Sequence, residues 1–433
     1  MNGQTVSLRR PRLNVNSPVS MFAMALVVVF ALTLFTTHAM QAQTFSVLHN
    51  FSGGGDGAHP YAGVTVGPGG VLYGTASAGG THGDGVAFKL TYQGSSWPLS
   101  PLYEFTGGSD GAAPYGGVVI GPNGALYGTT ENGGAQSYGV VFELRPPATF
   151  CRSILCYWNE TVLHAFTGAP DGEYPYQENL AFDQAGDIYG TTGAGGMYGG
   201  GITFELTPSG GGYTESILHS FGSGADGRTP YSGVVLDTAG NVYGTTQYGG
   251  TGTECSFNCG TVYQLMPSNG GWLEDVLVNF DITNGFYPYD RLVIDDFGNL
   301  YGTTSGGGPY GSGVVYKLTP SGGEFTYSIL YTFSSYCSSY SGVAMDAAGN
   351  LFGVCPDGGA HQDGWIYELT NCSSTCMAND LHDFNGSDGN GPYGAPVLDA
   401  NGNLYGTTAF GGTGCSGDPN CGVVWEIAGV GAH

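Results

Sequence analysis

The chain has 433 residues, of which 80 are glycine, 41% are hydrophobic and only 10% are charged. Its nine basic and 34 acidic residues give a formal net charge of −25. The lysines and arginines that neutralise nucleic-acid phosphates or anionic membrane surfaces are therefore nearly absent, and we expect neither partner. Glycine does not recur at every third residue, which excludes a collagen-like chain and indicates many tight turns.

The first 42 residues differ from the rest of the chain. Arg9, Arg10 and Arg12 precede an apolar run over residues 21–35, which is followed by the small and polar residues TTHAMQAQ. This order predicts a secretory signal peptide, and the run is shorter than the roughly 20 residues of a membrane-spanning helix. An uncleaved anchor is the alternative. We expect an exported chain of residues 43–433, outside the cell or at its surface, with the periplasm as a further possibility.

A tandem repeat fills the remainder of the chain. An aromatic residue followed by glycine recurs at intervals of 51 to 62 residues, at Tyr73, Tyr127, Tyr189, Tyr243, Tyr301, Phe352 and Tyr405. Each unit contains four short segments with a hydrophobic period of two, which in the fourth unit are residues 233–237, 241–246, 260–265 and 274–280. Seven units of four antiparallel strands predict a single all-β domain, a seven-bladed β-propeller.

The two ends of the repeat region indicate how the ring closes. Residues 45–51 read as a fourth strand before the first complete unit, and residues 422–427 read as a third strand with no fourth behind it. We expect the N-terminal strand to complete the last blade, which covers edges that would otherwise stay open. Within each unit the motif D-x-x-G-N predicts a tight turn between the first two strands, with Gly240 as the example in the fourth unit.

Two aromatic positions recur in every unit and are interpreted as packing between blades. One is an aromatic residue in the third strand, and the other is a phenylalanine that closes the fourth strand. Four histidines (His49, His164, His219 and His382) share one fourth-strand position, which Val278 fills in another unit. A position that accepts valine indicates either packing or a place at the rim, so we do not predict catalysis there.

The units resemble the GloVer-type tandem repeats of exported bacterial proteins, written roughly GVVFELTP…LHxFxGGxDGxxPxxGLxxDxxGNLYGTT. The match covers about residues 45–427, and the D-x-x-G-N-L-Y segment is also similar, more weakly, to NHL-type propeller repeats. This resemblance implies an exported or surface-attached propeller and implies no particular chemistry. Members carry varied C-terminal anchoring segments. This chain ends six residues after Ile427 without one, which leaves its attachment to a cell open.

All ten cysteines fall into close couples, an arrangement that predicts disulfides in an exported chain. Zinc ligation is the rival interpretation, most of all for Cys372 and Cys376, but no couple has a histidine at zinc-finger spacing. The expected bridges are Cys151–Cys156, Cys255–Cys259, Cys337–Cys355, Cys372–Cys376 and Cys415–Cys421.

The long loops between blades supply the candidate binding residues, because variable loops on one face usually carry function. Each loop ends in a tyrosine: Tyr61, Tyr115, Tyr176, Tyr231, Tyr289, Tyr340 and Tyr393. Five loops carry an aspartate, namely Asp56, Asp110, Asp171, Asp226 and Asp388, while Asn284 and Ser335 replace it in the other two. The tyrosine rings could stack on sugars, and the aspartate carboxylates could accept hydrogen bonds from sugar hydroxyls. The competing interpretation is that the aspartates form turns and the tyrosines fill gaps between blades.

Breaks in the repeat add one further candidate. The first-strand glycine becomes Asn179, Arg291 or Ala395 in three units. Arg291 would either bind an anionic ligand or form an ion pair with Asp290 or Asp295.

No enzyme motif rises above background. The sequence has no sialidase-type box, no H-E-x-x-H, no G-x-S-x-G, no phosphate loop and no calcium loop, so we expect no cofactor and no metal. The favoured function is a binding module for carbohydrate, expected to be a monomer. The alternatives are a polysaccharide hydrolase or lyase at the same face, and a scaffold for cell-surface proteins.

Overall fold

The computed structural model describes residues 43–147, 156–176, 179–222, 224–289, 291–334, 337, 340–372, 375–415 and 420–431. The predicted signal peptide and Cys151 lie outside these residues. Residues 43–433 form one compact unit. Among the described residues, no helix is long and apolar enough to cross a membrane.

Seven four-stranded antiparallel sheets form the blades of a β-propeller, as the repeat predicts. Each blade runs from a short innermost strand to its outermost strand. Blade 1 contains β2 (Thr65–Val66), β3 (Leu72–Ala76), β4 (Val86–Leu90) and β5 (Leu99–Glu104). Blade 2 contains β6 (Val119–Ile120), β7 (Leu126–Thr130), β8 (Val140–Arg145) and β9 (Asn159–Ala165). Blade 3 contains β11 (Ala181–Phe182), β12 (Ile188–Thr192), β14 (Ile202–Ser209) and β15 (Gly212–Ser220).

The next blades continue the same order. Blade 4 contains β16 (Val235–Leu236), β17 (Val242–Thr246), β18 (Thr261–Ser268) and β19 (Gly271–Asn279). Blade 5 contains β20 (Val293–Ile294), β21 (Leu300–Thr303), β22 (Val314–Ser321) and β23 (Glu324–Thr332). Blade 6 contains β24 (Ala344–Met345), β25 (Leu351–Cys355), β26 (Trp365–Thr370) and β27 (Met377–Asp383). Outside the blades lie a short ribbon of β10 (Gly172–Glu173) and β13 (Ala194–Gly195), and a 3-10 turn at Pro68–Gly70.

Blade 7 closes the ring with strands from both ends of the chain. It contains β28 (Val397–Leu398), β29 (Leu404–Thr408), β30 (Val423–Ala428) and the N-terminal β1 (Thr44–Asn50). Strand β1 pairs antiparallel with β30, from Thr44 opposite Ala428 to Asn50 opposite Val423. The predicted closure is therefore confirmed.

The innermost strands are shorter than the five-residue segments that the sequence suggests. In blade 4 only Val235 and Leu236 pair with the second strand. Upstream of them, a Cβ added at Gly233 would collide with the backbone of Asn179 in blade 3. The first strand is short because the blade backbones converge at the axis. Glycine is suited to such a close approach.

The repeated Y-G-T-T motif joins neighbouring blades. Its glycine makes room for the third-strand aromatic residue, since a Cβ at Gly128 would lie 2.7 Å from the Phe142 ring. Its first threonine donates a hydrogen bond to the backbone of the next blade, as from Thr75 Oγ1 to Gly116 O at 2.7 Å. Its second threonine bonds within its own turn, as from Thr130 Oγ1 to Asn132 O at 2.9 Å.

The D-x-x-G-N turn forms as predicted. In blade 4 one carboxylate oxygen of Asp237 accepts hydrogen bonds from Ala239 N at 2.8 Å and Asn241 N at 2.9 Å. Gly240 has a φ of 83°, a conformation that favours glycine.

Aromatic pairs fill every seam, the name used here for the junction between consecutive blades. At each seam the fourth-strand phenylalanine of one blade contacts the third-strand aromatic residue of the next, with ring centroids 4.9–6.2 Å apart. The pairs are Phe51–Phe88, Phe105–Phe142, Phe166–Phe204, Phe221–Tyr263, Phe280–Tyr316, Phe333–Tyr367 and Phe384–Trp425. The predicted packing between blades is confirmed at all seven seams.

Candidate functional site

The seven loop tyrosines form a closed ring around the central axis. Each ring contacts the next with centroids 4.6–6.2 Å apart, and the circle closes between Tyr393 and Tyr61 at 5.4 Å. Its members are Tyr61, Tyr115, Tyr176, Tyr231, Tyr289, Tyr340 and Tyr393, and all seven are partly exposed. Sequence spacing predicted these residues individually, and the structure brings them into mutual contact.

Backbone hydrogen bonds to the preceding blade position the loops that carry five of the ring tyrosines. Ala113, two residues before Tyr115, has a left-handed φ of 53°, and its amide donates to Asp84 O of the preceding blade at 2.9 Å. Pro114 packs on Gly85, where an added Cβ would lie 2.5 Å from the proline Cδ. Equivalent bonds and left-handed residues recur at His59, Tyr174, Thr229 and Tyr287. These five tyrosines thus lie on loops that are hydrogen-bonded to the preceding blade.

Burial raises the pKa of six of the ring hydroxyls above the ordinary tyrosine value, which keeps them neutral well beyond pH 7. It raises the pKa of Tyr61 to about 12, with smaller contributions from the charges of Tyr115 and Tyr393. Burial likewise raises the pKa values of Tyr115, Tyr176, Tyr231, Tyr289 and Tyr393. A neutral phenol both donates and accepts hydrogen bonds, so the ring offers hydroxyls as well as aromatic faces.

Two polar residues next to the ring break the repeat, and sequence reasoning missed both. The residue after Y-G-T-T or its equivalent is Ser77, Glu131, Gly193, Gln247, Ser305, Pro356 or Ala409 in successive units. Only two of these seven are long and polar. This variation at one position after a nearly constant motif is the sequence signal that could have identified Glu131 and Gln247. We use the name mouth for the tyrosine ring together with Glu131 and Gln247.

Glu131 interacts electrostatically with three ring tyrosines. Its charge contributes to the raised pKa of Tyr115, Tyr176 and Tyr231, which belong to blades 2, 3 and 4. Burial raises the pKa of Glu131 itself, and a hydrogen bond from Asn132 at 3.2 Å opposes that effect. A partly buried carboxyl beside neutral phenols is a potential hydrogen-bond acceptor for a ligand.

Gln247 is buried against the next part of the ring, with 2% of its surface exposed. Its Nε2 donates to the hydroxyl of Tyr289, while its Oε1 has no hydrogen-bond partner. A buried acceptor without a donor is costly. A ligand hydroxyl that donated to Oε1 would remove that cost.

Aromatic side chains extend from the mouth over blades 3 to 5. Tyr248 follows Gln247 and contacts Tyr287 and Phe257 with centroids 5.2 and 5.7 Å apart. Phe257 is 70% exposed and, with Tyr198 and Arg228, lines a cavity of about 310 Å³. This is an aromatic surface beside the ring on the same loop face.

The five loop aspartates hydrogen-bond within their own loops. Asp56 accepts from Ser52 N at 3.0 Å and pairs with His49 at 3.1 Å. Asp110 accepts from Thr106 N at 2.9 Å and from the Tyr103 hydroxyl at 3.0 Å. Burial alone would raise the pKa of Asp171, but hydrogen bonds from His164, Gly172 and Thr167 lower it to about 2. Asp226 and Asp388 form the same pairs with His219 and His382. A contact between these carboxylates and a ligand stays a prediction.

An internal correlation accounts for the histidines. Wherever the loop residue is aspartate, the fourth-strand position holds a donor, either histidine or Tyr103. Where the loop carries Asn284, that position is Val278. In the five aspartate units the two positions form one hydrogen-bonded pair, a relation that was readable from the repeats, whereas the remaining unit combines Tyr331 with Ser335.

Arg291 lines an axial cavity of about 320 Å³ together with Asn179 and the apolar first strands. The carboxylate of Asp295 accepts bonds from Asn299, Tyr301 and Phe297. Asp290, the other predicted partner, lies outside the described residues.

A wider groove of about 810 Å³ lies on the opposite face, between the turns of blades 5 and 6. Its carboxylates, Asp295 and Asp346, hold D-x-x-G-N turns, and its Lys317 lies 5.2 Å from the centroid of the Tyr301 ring. Since both of these turn carboxylates already accept structural hydrogen bonds, size alone does not make the groove the better candidate.

Four of the predicted disulfides are present: Cys255–Cys259, Cys337–Cys355, Cys372–Cys376 and Cys415–Cys421. The bridge from Cys337 to Cys355 joins a tyrosine-bearing loop to the end of β25. The predicted Cys151–Cys156 bridge involves a residue outside the described part of the chain. Disulfides of this kind are typical of proteins from oxidising compartments.

Comparison with solved structures supports the fold through a match with a TM-score above 0.5. An ulvan lyase of a polysaccharide lyase family, solved with a bound saccharide, matches with a TM-score of 0.53 at 10% identity, covering 88% of this chain and 95% of that one. A putative glucose dehydrogenase from Thermus thermophilus gives a TM-score of 0.43 at 16% identity, covering 89% and 100%. The PQQ-bound aldose sugar dehydrogenase of Streptomyces coelicolor gives 0.43 at 12%, covering 89% and 98%.

Comparison by sequence identifies the repeat. No curated protein sequence matches the chain. The Gloeobacter/Verrucomicrobia repeat matches three overlapping stretches, residues 28–160, 157–342 and 294–432, which together span the propeller. The chain therefore belongs to the Gloeobacter/Verrucomicrobia repeat family.

Proposed function

We propose that this propeller is an exported carbohydrate-binding module, and that its ligand binds at the mouth. The observation that carries the proposal is the placement of Glu131 and Gln247 against the tyrosine ring. The ring alone could be a structural plug, since all seven units supply it. A partly buried carboxyl and an unpartnered buried amide oxygen serve no packing need that the other five units share.

The chemistry of the mouth favours a neutral, hydroxyl-rich ligand. Aromatic faces stack on the apolar faces of sugar rings, and carboxylate and amide oxygens accept bonds from sugar hydroxyls. The strong negative charge of the chain disfavours anionic ligands. Ring centroids at the observed spacing lie about 6 Å from the axis, which suits the end of a saccharide chain entering along the axis.

The matched test is retention on immobilised neutral and anionic polysaccharides. We would compare the wild type with a double variant, Tyr115→Ala and Tyr231→Ala. The control is Tyr92→Ala, which removes an exposed tyrosine from the turn between β4 and β5, on the opposite face. We expect retention of the wild type and the control on neutral glycans and its loss in the double variant. Equal retention of all three proteins would contradict a site at the mouth.

A polysaccharide-active enzyme is the second candidate, and Glu131 is the observation that favours it. A carboxyl whose pKa is raised by burial beside phenols is a recurrent feature of acid–base catalysis. The likeness to the ulvan lyase shows the shared fold alone. Assaying the eluates for shortened saccharides separates the two functions, since a binding module releases none. If no glycan retains the wild type, the mouth fails as a sugar site and protein partners become the next candidates.

A further inference from the structure

Three consecutive seams contain a glutamate that faces the hydrogen-bonded pair of the preceding blade. The residues are Glu160, Glu215 and Glu274, each at the same position near the start of its fourth strand. Their Oε1 atoms are buried and have no hydrogen-bond partner. Burial raises the pKa of each to about 7. Such atoms need either a proton or a cation.

At the seam between blades 2 and 3, the glutamate completes a set of three converging donor atoms. His164 Nε2 lies 3.3 Å from Asp171 Oδ2 and 3.7 Å from Glu215 Oε1, and the three atoms lie within 4.8 Å of one another. The three side chains are only 20%, 13% and 16% exposed. Bonds of about 2.0–2.2 Å to a tetrahedral ion place its ligand atoms roughly 3.3–3.6 Å apart. The two distances to His164 Nε2 are close to this spacing, and the two carboxylate oxygens lie no more than 4.8 Å apart.

We propose that His164, Asp171 and Glu215 bind one zinc-like divalent ion that links blade 2 to blade 3. One imidazole nitrogen and two carboxylate oxygens are ligands that Zn²⁺ prefers, with the fourth position open to water. Calcium instead requires six to eight oxygen ligands, which this seam does not offer among its described residues.

The surroundings of the set are suited to a metal. Gly172 N and Thr167 N donate to the Asp171 carboxylate at 2.6 and 2.8 Å, and such outer bonds orient a ligating carboxylate. The imidazole would bind through Nε2 as the neutral tautomer with its proton on Nδ1. Glu215 Oε1, which has no hydrogen-bond partner, would become a ligand.

The neighbouring seams supply matched controls within the same chain. Between blades 3 and 4, His219, Asp226 and Glu274 are the same residue types, but among the described residues only the set with Glu215 brings three ligand atoms within 4.8 Å. Between blades 1 and 2, Tyr103 takes the place of the histidine opposite Glu160. The proposal therefore predicts one site and two near-sites that do not bind.

The test uses the untagged mature protein, freed of metal with a chelator and titrated with Co²⁺ and Zn²⁺ near pH 7.5. We expect one equivalent of Co²⁺ with the visible absorption of tetrahedral coordination, and a rise in the melting temperature with Zn²⁺. Glu215→Gln should weaken Co²⁺ binding at least tenfold, whereas Glu274→Gln should leave it unchanged. His164→Gln provides a second variant should Glu215→Gln fail to fold.

Three results would overturn the proposal. The wild type could show neither the absorption nor the thermal shift. Glu274→Gln could weaken binding as much as Glu215→Gln. Both Glu215→Gln and His164→Gln could bind Co²⁺ like the wild type, which would place the ion elsewhere.

Discussion

The seams and the mouth of this propeller follow opposite rules. At all seven seams a phenylalanine contacts another aromatic residue, and the same glycine recurs beside it, with the threonines replaced only at Ala76, Val354 and Cys355. At the mouth, the residue after Y-G-T-T ranges from alanine at Ala409 to a partly buried carboxyl at Glu131. A residue that recurs in every unit makes a packing contact that every seam requires. A residue found in one unit serves a function that is specific to its place in the molecule.

The largest effect is expected at a seam. Phe142→Ala removes a fully buried ring that contacts Phe105 at 5.1 Å and should cost about 3–5 kcal/mol of unfolding free energy. Denaturant unfolding measures this loss. Glycan retention of the fraction that remains folded should be unchanged. A loss below about 1 kcal/mol would mean that the seams do not hold the blades together as the contacts indicate.

Asp226→Asn tests the loop aspartates. The substitution weakens the pair with His219 and should cost about 1–3 kcal/mol of unfolding free energy without changing glycan retention. Asn284, which fills the equivalent place in the next loop, provides the natural precedent. Denaturant unfolding measures the loss of stability, and retention on immobilised glycans measures binding. Lost retention at unchanged stability would instead assign Asp226 to the ligand site, as the sequence predicted.

The seam glutamates should make stability depend on pH. In the folded protein each glutamate has a pKa of about 7, which lies above its value in the unfolded chain. The contribution of the protonated carboxyl to the free energy of unfolding is therefore present at low pH and is lost as the pH rises through 7. With chelator present, Glu160→Gln or Glu274→Gln should raise the unfolding free energy at pH 8 by about 1–2 kcal/mol, with a smaller change at pH 5.

Glu254→Gln, in an exposed loop, is the control for this pH dependence and should change stability at neither pH. The comparison requires unfolding curves of all the variants at both pH values. An equal gain from Glu160→Gln at pH 5 and pH 8 would contradict ionisation as the cause.

The fold was predictable from the sequence because each repeated residue answers a local demand. The Gly240 turn and the aromatic pairs follow from patterns that every unit repeats, and the closure by β1 follows from the incomplete units at the two ends. The short inner strands were not predictable, since their length depends on how closely Gly233 approaches the backbone of another blade.

The site was only partly predictable. Tyr115 and its counterparts were identified from their positions, but their mutual contacts depend on the closed ring. Glu131 and Gln247 were missed because nothing within one unit shows that the residue after Y-G-T-T lies beside the tyrosines of neighbouring units. The Glu215 set joins residues of two blades, and no spacing along the chain reveals that they meet.

The central claim is that Glu131 and Gln247, which break the repeat at the mouth, contact the ligand. Its most direct test is the affinity of a neutral oligosaccharide, taken from whichever glycan retains the wild type, measured by calorimetry. Glu131→Ala should weaken binding about tenfold, the equivalent of about 1.4 kcal/mol. Ser305→Ala, at the same position in another unit, should bind like the wild type. Equal affinities for the wild type and Glu131→Ala would contradict the claim and return the tyrosine ring to a structural role.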